Sequence, residues 1–293
     1  MPAMPQPFYL PSWVPAALVG FFLVAAALEN LWPLRRLKRP RPRRWAVNLA
    51  LTALAFGVGA ALVRPAALAA AAWTQSRALG VLTWLPLPFW IQFALGFLWM
   101  DATFYFWHRA NHLYPLLWRF HNVHHVDPDL DVSTSFRFHY GEVLYSSIFR
   151  VFQVMVMGVS PFTYLVYEFC FNLATMFQHS NVGLPIRGER WLNKILVTPR
   201  MHGIHHSVVG NETNSNYSVI FSCWDRLNRS LRLNVPQGEV IIGVPGYLLP
   251  RDNRVWPLLL QPFRKQRPYW RWPSGRASVR KGAATAAPQH LLP

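Results

Sequence analysis

The sequence predicts an all-α, polytopic membrane protein with about four to five membrane helices, including a helical hairpin, and a cytoplasmic histidine-rich helical cap. Three observations carry that prediction: apolar runs long enough to cross a bilayer, a one-sided placement of basic residues, and eight histidines gathered in three tight groups. Of the 293 residues, 52% are hydrophobic and only 14% charged. That balance is far from the usual soluble domain.

Residues 11–32, 45–73 and about 84–107 are each apolar over the length that spans a bilayer. The first lacks a basic n-region, so it reads as a retained span rather than a cleaved signal. Between the first two runs lies Leu34 to Arg44, crowded with Arg and Lys, whereas the loop at 74–83 carries only Arg77. The positive-inside rule places the 34–44 loop in the cytoplasm. The third helix then returns there at Trp107, where the histidines begin. Residues 143–178 are too long for one span and are interrupted by Gly158, Val159, Ser160 and Pro161. Glycine and proline punctuate helices, so this region is expected to go in and come back, leaving His139 and His179 on one side. Residues from about 264 onward are basic and rich in Pro and Ala, and are expected to be poorly ordered. The chain thus divides into membrane helices at 1–107, a histidine region at 108–235 and a basic, partly disordered segment at 236–293.

A net charge of +17 suggests nucleic acid, but the basic residues cluster in the 34–44 loop and after Arg251. Anionic lipid headgroups account for both clusters, and a basic face suits an acidic redox partner; no nucleic-acid partner is expected. Cys170 and Cys223 are the only cysteines, and no disulfide framework or Cys-x-x-Cys site follows from them.

The histidine groups are His108-x-x-x-His112, His121-x-x-His124-His125 and His202-x-x-His205-His206. Neutral imidazole is the commonest ligand for first-row transition metals, and residues at i, i+3 and i+4 share a helix face. Eight histidines exceed the ligand set of one zinc site, so two metal ions are expected. Asp101, seven residues before His108, either orients a ligand imidazole or pairs with Arg109. Glu29 reads as structural. His179, at the end of the second hairpin arm, reads as a ligand, and His139 as a substrate gate or structural residue. His290 is expected to be inert.

In order, the motifs are HRANH at 108–112, HNVHH at 121–125, TSFRFHYGE at 134–142, QHSNVGLP at 178–185, TPRMHGIHHS at 198–207 and NYSVIFSCWDRL at 216–227. Together they resemble the fatty acid hydroxylase/sterol desaturase superfamily over roughly residues 20–235. The first two boxes lie only eight residues apart, closer than in the other membrane desaturase superfamily. The resemblance implies a membrane-embedded, non-haem di-iron oxygenase that uses O2 and two electrons to hydroxylate or desaturate a lipid C–H bond. The substrate would be sterol-like, fatty acyl or isoprenoid. Its metal ligands would be His108, His112, His121, His124, His125, His202, His205 and His206, with His179 as the ninth. Asp101, His139, Asn181 and Asp225 would stand around them in support. Nothing resembles a haem or flavin domain, so a separate carrier of ferredoxin or cytochrome b5 type would deliver electrons. A bacterial inner membrane is the expected location. The alternatives are a membrane zinc-dependent lipid hydrolase and a metal transporter, whose site should lie deeper in the bilayer. The chain departs from the family at Asn228-Arg229-Ser230, where Phe-Gly-Thr is common, and at Tyr140, where proline is frequent.

Overall fold

The computed structural model describes residues 11–280, all helix and loop apart from isolated bridges. Helix α1 spans Trp13–Leu31. Helix α2, Arg41–Val58, passes through a π-helical turn at Gly59–Val63 into α3, Arg64–Ser76, as one bent rod. Pro65 has no N–H for the carbonyl one turn back, and the wider turn before it absorbs that mismatch. In their most apolar stretches α1 and this long rod are only 22% and 17% buried. Soluble core helices hide their apolar surface, so such exposed apolar length marks a membrane protein.

Helix α4, Phe89–Leu113, runs past the expected end at Trp107 and carries both His108 and His112. Helix α5, Pro115–His125, follows after a single residue, Tyr114, so the first two histidine groups come together by a sharp corner. The helix breaks where expected: α6 covers Tyr140–Met157 and α7 Pro161–His179. Gly158 ends α6 in the left-handed region at φ 74°, and Ser160 caps α7 by accepting from the Thr163 N–H at 3.1 Å. Gly80, at φ 90°, sits against this tip. A Cβ there would come within 2.4 Å of the Gly158 nitrogen, so the tip and the loop after α3 meet backbone to backbone. Short helices α8 (Ile186–Leu192), α9 (Pro199–His205), α10 (Gly210–Thr213) and α11 (Cys223–Leu227) complete the cap.

Two expectations need correction. Part of the basic 34–44 loop serves the cap rather than lipid. The Arg44 guanidinium is buried, donating to Asp127 at 2.8 and 3.0 Å and to Asp131 at 2.7 Å. The backbone N–H groups of Lys38 and Arg39 both donate to the Asp129 carboxylate. The segment from 264 is also organised as far as residue 280. Trp270 and Tyr269 pack on Trp118 of α5, and Arg280 pairs with Glu212 and Glu239. Aromatic packing and a paired guanidinium outweigh the bias that Pro- and Ala-rich composition suggests. His290 lies outside the described residues.

Candidate metal centre

Nine histidines converge in the cap, all buried. His108, His112, His121, His125 and His205 form one group and His124, His179, His202 and His206 the other, with candidate ligand atoms within 4.8 Å of one another in each. The division cuts across the sequence boxes. Within each H-x-x-H-H, the residues at i and i+4 go to one group and the residue at i+3 to the other. At about 100° per residue, i+4 lies some 40° to one side of i and i+3 some 60° to the other. Helix α5, and α9 with the His206 that follows it, therefore each feed both groups, lending two rings to one and a single ring to the other.

The outer nitrogens are held by groups that fix the tautomer. His108 Nδ1 lies 2.7 Å from the Tyr217 carbonyl, His205 Nδ1 2.7 Å from the Ser215 carbonyl, and His179 Nδ1 2.7 Å from the Thr175 carbonyl. A carbonyl only accepts, so each Nδ1 carries the proton and each Nε2 turns a lone pair inward. His121 Nδ1 meets the Glu142 carboxylate at 2.8 Å, with the same result. Inside, Nε2 atoms face each other: His179 to His202 at 2.9 Å, His179 to His124 at 3.0 Å, and His121 to His125 at 3.2 Å. Several further ring nitrogens, including His112 Nε2 and His205 Nε2, are buried without a hydrogen-bond partner. Converging lone pairs and orphaned nitrogens are poor company for one another and good company for a cation. Burial also pushes the imidazoles of His124, His125, His202 and His206 well below their usual pKa, with neighbouring rings adding to the effect, and His205 down to about 3. Neutral rings are the form a metal binds. The donor set fits metal ions.

Of the other candidates, Asp101 touches no histidine and forms no pair with Arg109. Its carboxylate accepts from the backbone of Ile220 and Phe221 and from the Trp224 indole at 2.7 Å. Two helical turns put it about 10 Å from His108 along the axis, out of reach of that ring. The carboxylate that orients a ring is Glu142, whose only signal was an acid opening an apolar helix. Asp225 works one step back: it accepts from the N–H groups of Tyr217 and Ser218 at 2.9 Å each, bracing the loop whose carbonyls hold His108 and His205. Between those carbonyls Asn216 adopts φ 55°, and its amide donates to the carbonyls of Met201 and Arg232. Asn181 joins the end of α7 to the basic loop through Arg35. The Glu29 carboxylate accepts from the N–H groups of Val132 and Asn181 at 2.7 Å, a structural role. His139 stands outside both groups and caps α6 by accepting from the Gly141 N–H. Tyr140 is the first residue of that helix, where proline is also at ease.

An acid network that composition did not suggest holds the histidine segment from below. Asp127 accepts from Arg44, Asn48 and Thr134, and Arg137 bridges Asn48 to the Val123 carbonyl within α5. Burial works to raise the Asp127 carboxyl, but Arg44 and Arg137 overcome it and hold it down at about 2.

A cavity open at one side leads to the histidines. Its near end exposes His108, His121, His124, His179 and His202, and its walls are mainly apolar, with Phe104, Phe136, Phe149 and Phe171 and the π-helical turn of the long rod. An acyl or isoprenoid chain fits such walls.

Fold and site together define a helical membrane protein with two buried histidine groups suited to metal, set at the end of an apolar cavity. Residues 93–230 match the pattern of the fatty acid hydroxylase family. The chain is 29% identical over 159 residues to ornithine lipid hydroxylase OlsE of Rhizobium tropici, covering 54% of this chain and 47% of that one. It is 30% identical over 133 residues to human alkylglycerol monooxygenase (45% and 28%) and 27% over 135 residues to human cholesterol 25-hydroxylase (45% and 48%). The chain thus spans about half the length of these curated relatives, or less. No solved structure matches it.

The family departure at 228–230 has a physical cost here. Arg229 stands where glycine is common and adopts φ 56°, a conformation costing an L-residue about 1–2 kcal/mol. Ser230 still supplies the hydroxyl, donating to Asp225 at 2.6 Å. Arg229→Gly is expected to stabilise the fold by about 1 kcal/mol, read as a rise in midpoint in a thermal unfolding series.

Proposed function

We propose that the protein is a membrane-bound di-iron oxygenase that uses O2 and two electrons to hydroxylate or desaturate a C–H bond of a lipid. The observation that carries this reading is the pair of adjoining all-histidine groups at the end of an apolar cavity. His108, His112, His121, His125 and His205 would hold one iron, and His124, His179, His202 and His206 the other. Bound iron would supply the activation of O2 that no side chain can perform.

The protein's own part is positioning. The carbonyls of Tyr217, Ser215 and Thr175 and the Glu142 carboxylate keep lone pairs aimed inward before any ion arrives. The aromatic walls admit a chain and keep water from the reacting carbon. The relatives' names, an ornithine lipid hydroxylase, an alkylglycerol monooxygenase and a cholesterol 25-hydroxylase, support a lipid substrate. Four to five membrane crossings, by α1, the long rod, α4 and the α6–α7 hairpin, would set the cap on the cytoplasmic face of a bacterial inner membrane. There anionic headgroups meet the exposed bases of the 34–44 loop, and a ferredoxin or cytochrome b5 type donor has access.

The test is metal content of the detergent-purified chain from iron-supplemented cells, joined to a mass-spectrometric search for oxygenated or desaturated lipid that depends on O2. Iron in both groups and such a product are expected. A single zinc with ester hydrolysis would overturn the reading. Glu142→Gln removes the charge behind His121 and is expected to weaken metal affinity by about 10–100-fold, measured by competition with a chelator.

A further inference from the structure

The far end of the cavity carries charge in an otherwise apolar hairpin. Arg150 on α6 lies 2.9 Å from Glu168 on α7, and both line the cavity with Arg64 of α3. The Arg150 guanidinium is caged between Phe104, Tyr167 and Phe171, 5.0–5.5 Å from the ring centroids, and donates to Gln153 at 2.9 Å. Gln153 in turn donates to the Met100 carbonyl and Thr103. Arg150 is therefore fixed and satisfied. Arg64 is different: it is exposed, and among the described residues no carboxylate lies within ion-pair distance of it. Two guanidiniums and one carboxylate line the cavity here, leaving a surplus of positive charge. Charges at such depth in a membrane helix carry a cost that function usually explains.

This end is separate from the histidines. Glu168 and His179 are eleven residues apart on α7, about 16 Å at 1.5 Å per residue. Between them the cavity face of α7 presents Asn172, Thr175 and Gln178, and the Thr175 hydroxyl and the side-chain amide oxygen of Gln178 are buried without partners. With carbon–carbon bonds of about 1.5 Å, an extended chain of roughly a dozen carbons covers that distance.

We propose that Arg64, with the Arg150–Glu168 pair as its wall, is a subsite for an oxyanion at one end of the lipid, a carboxylate or a phosphate, while the chain runs along α7 towards the histidines. This rests on reading the cavity as the lipid site of the proposed oxygenase. A guanidinium donates two parallel hydrogen bonds to either oxyanion, and Glu168 restrains the charge of Arg150 so that Arg64 makes the main contact.

The test is equilibrium binding of tritiated palmitate, hexadecyl phosphate and hexadecanol to the full chain in detergent. At least one of the two anions is expected to bind about tenfold more tightly than hexadecanol, the gain from a charge-assisted hydrogen bond. Preference for palmitate identifies a carboxylate site, and preference for hexadecyl phosphate a phosphate site. Arg64→Gln should abolish the preference, Arg64→Lys should restore part of it, and Glu168→Gln should strengthen it. Equal binding of all three ligands, or a preference that survives Arg64→Gln, overturns the proposal. Binding needs no turnover, so a chain that holds no iron yet discriminates the ligands fails the oxygenase reading and keeps this one.

Discussion

Replacing His205 by alanine is expected to remove iron from one group and spare the other, and replacing His124 to do the reverse. Although His124 sits beside His125 in sequence, it belongs with His179, His202 and His206, whereas His205 belongs with His108, His112, His121 and His125. Each variant should therefore hold about half the iron of the parent, and the double variant almost none, because neutral imidazoles alone make up each donor set. Elemental analysis of the purified chains measures this, and oxygen-dependent product should vanish in both single variants. If either substitution alone empties the whole centre, the two groups act as one shared site. If neither lowers the iron, the metal lies elsewhere.

The second large effect falls on a residue with no place in the chemistry. Asp127→Ala takes two of the three carboxylate hydrogen bonds from the buried Arg44 guanidinium, leaving Asp131 as its one carboxylate partner, and also strips partners from Asn48 and Thr134. Removing one member of a buried ion pair costs about 3–5 kcal/mol, because the remaining charge stays out of water. The expected outcome is a large fall in the thermal midpoint or in the yield of monodisperse protein. Asp127→Asn, which keeps hydrogen-bonding capacity, should lose less. A variant with unchanged midpoint would show that the clamp between the basic loop and the histidine segment contributes little. The prediction also separates the two uses of the arginine-rich loop: charge reversal at exposed Arg36 or Arg43 should leave the midpoint alone.

Helical class and the break between α6 and α7 were legible because both rest on local rules. Apolar length and the Gly158–Pro161 break depend only on neighbouring residues. The i, i+3, i+4 spacing of the histidines likewise announces a shared centre without reference to the rest of the chain. Asp101 shows where local reasoning fails: its heptad spacing from His108 put the two on one helix face, but a side chain spans only about one turn, and the partner came from residues 220–224. Glu142 was passed over for the complementary reason, since it meets His121 only after the chain has turned through the 127–139 segment. The backbone carbonyls of Ser215, Tyr217 and Thr175 leave no trace in residue identity at all. Arg44 looked like one more juxtamembrane base until Asp127 and Asp131 closed on it.

By itself, then, the sequence determined a helical membrane protein with imidazole enough for two metal ions, because hydropathy and helical periodicity are properties of contiguous residues. Only the tertiary structure decided which histidine joins which group, which groups hold their outer nitrogens, and which charges stand alone in the cavity. Those depend on rings and carboxylates brought within about 3 Å of each other from helices far apart in the chain, a distance set by packing rather than by spacing.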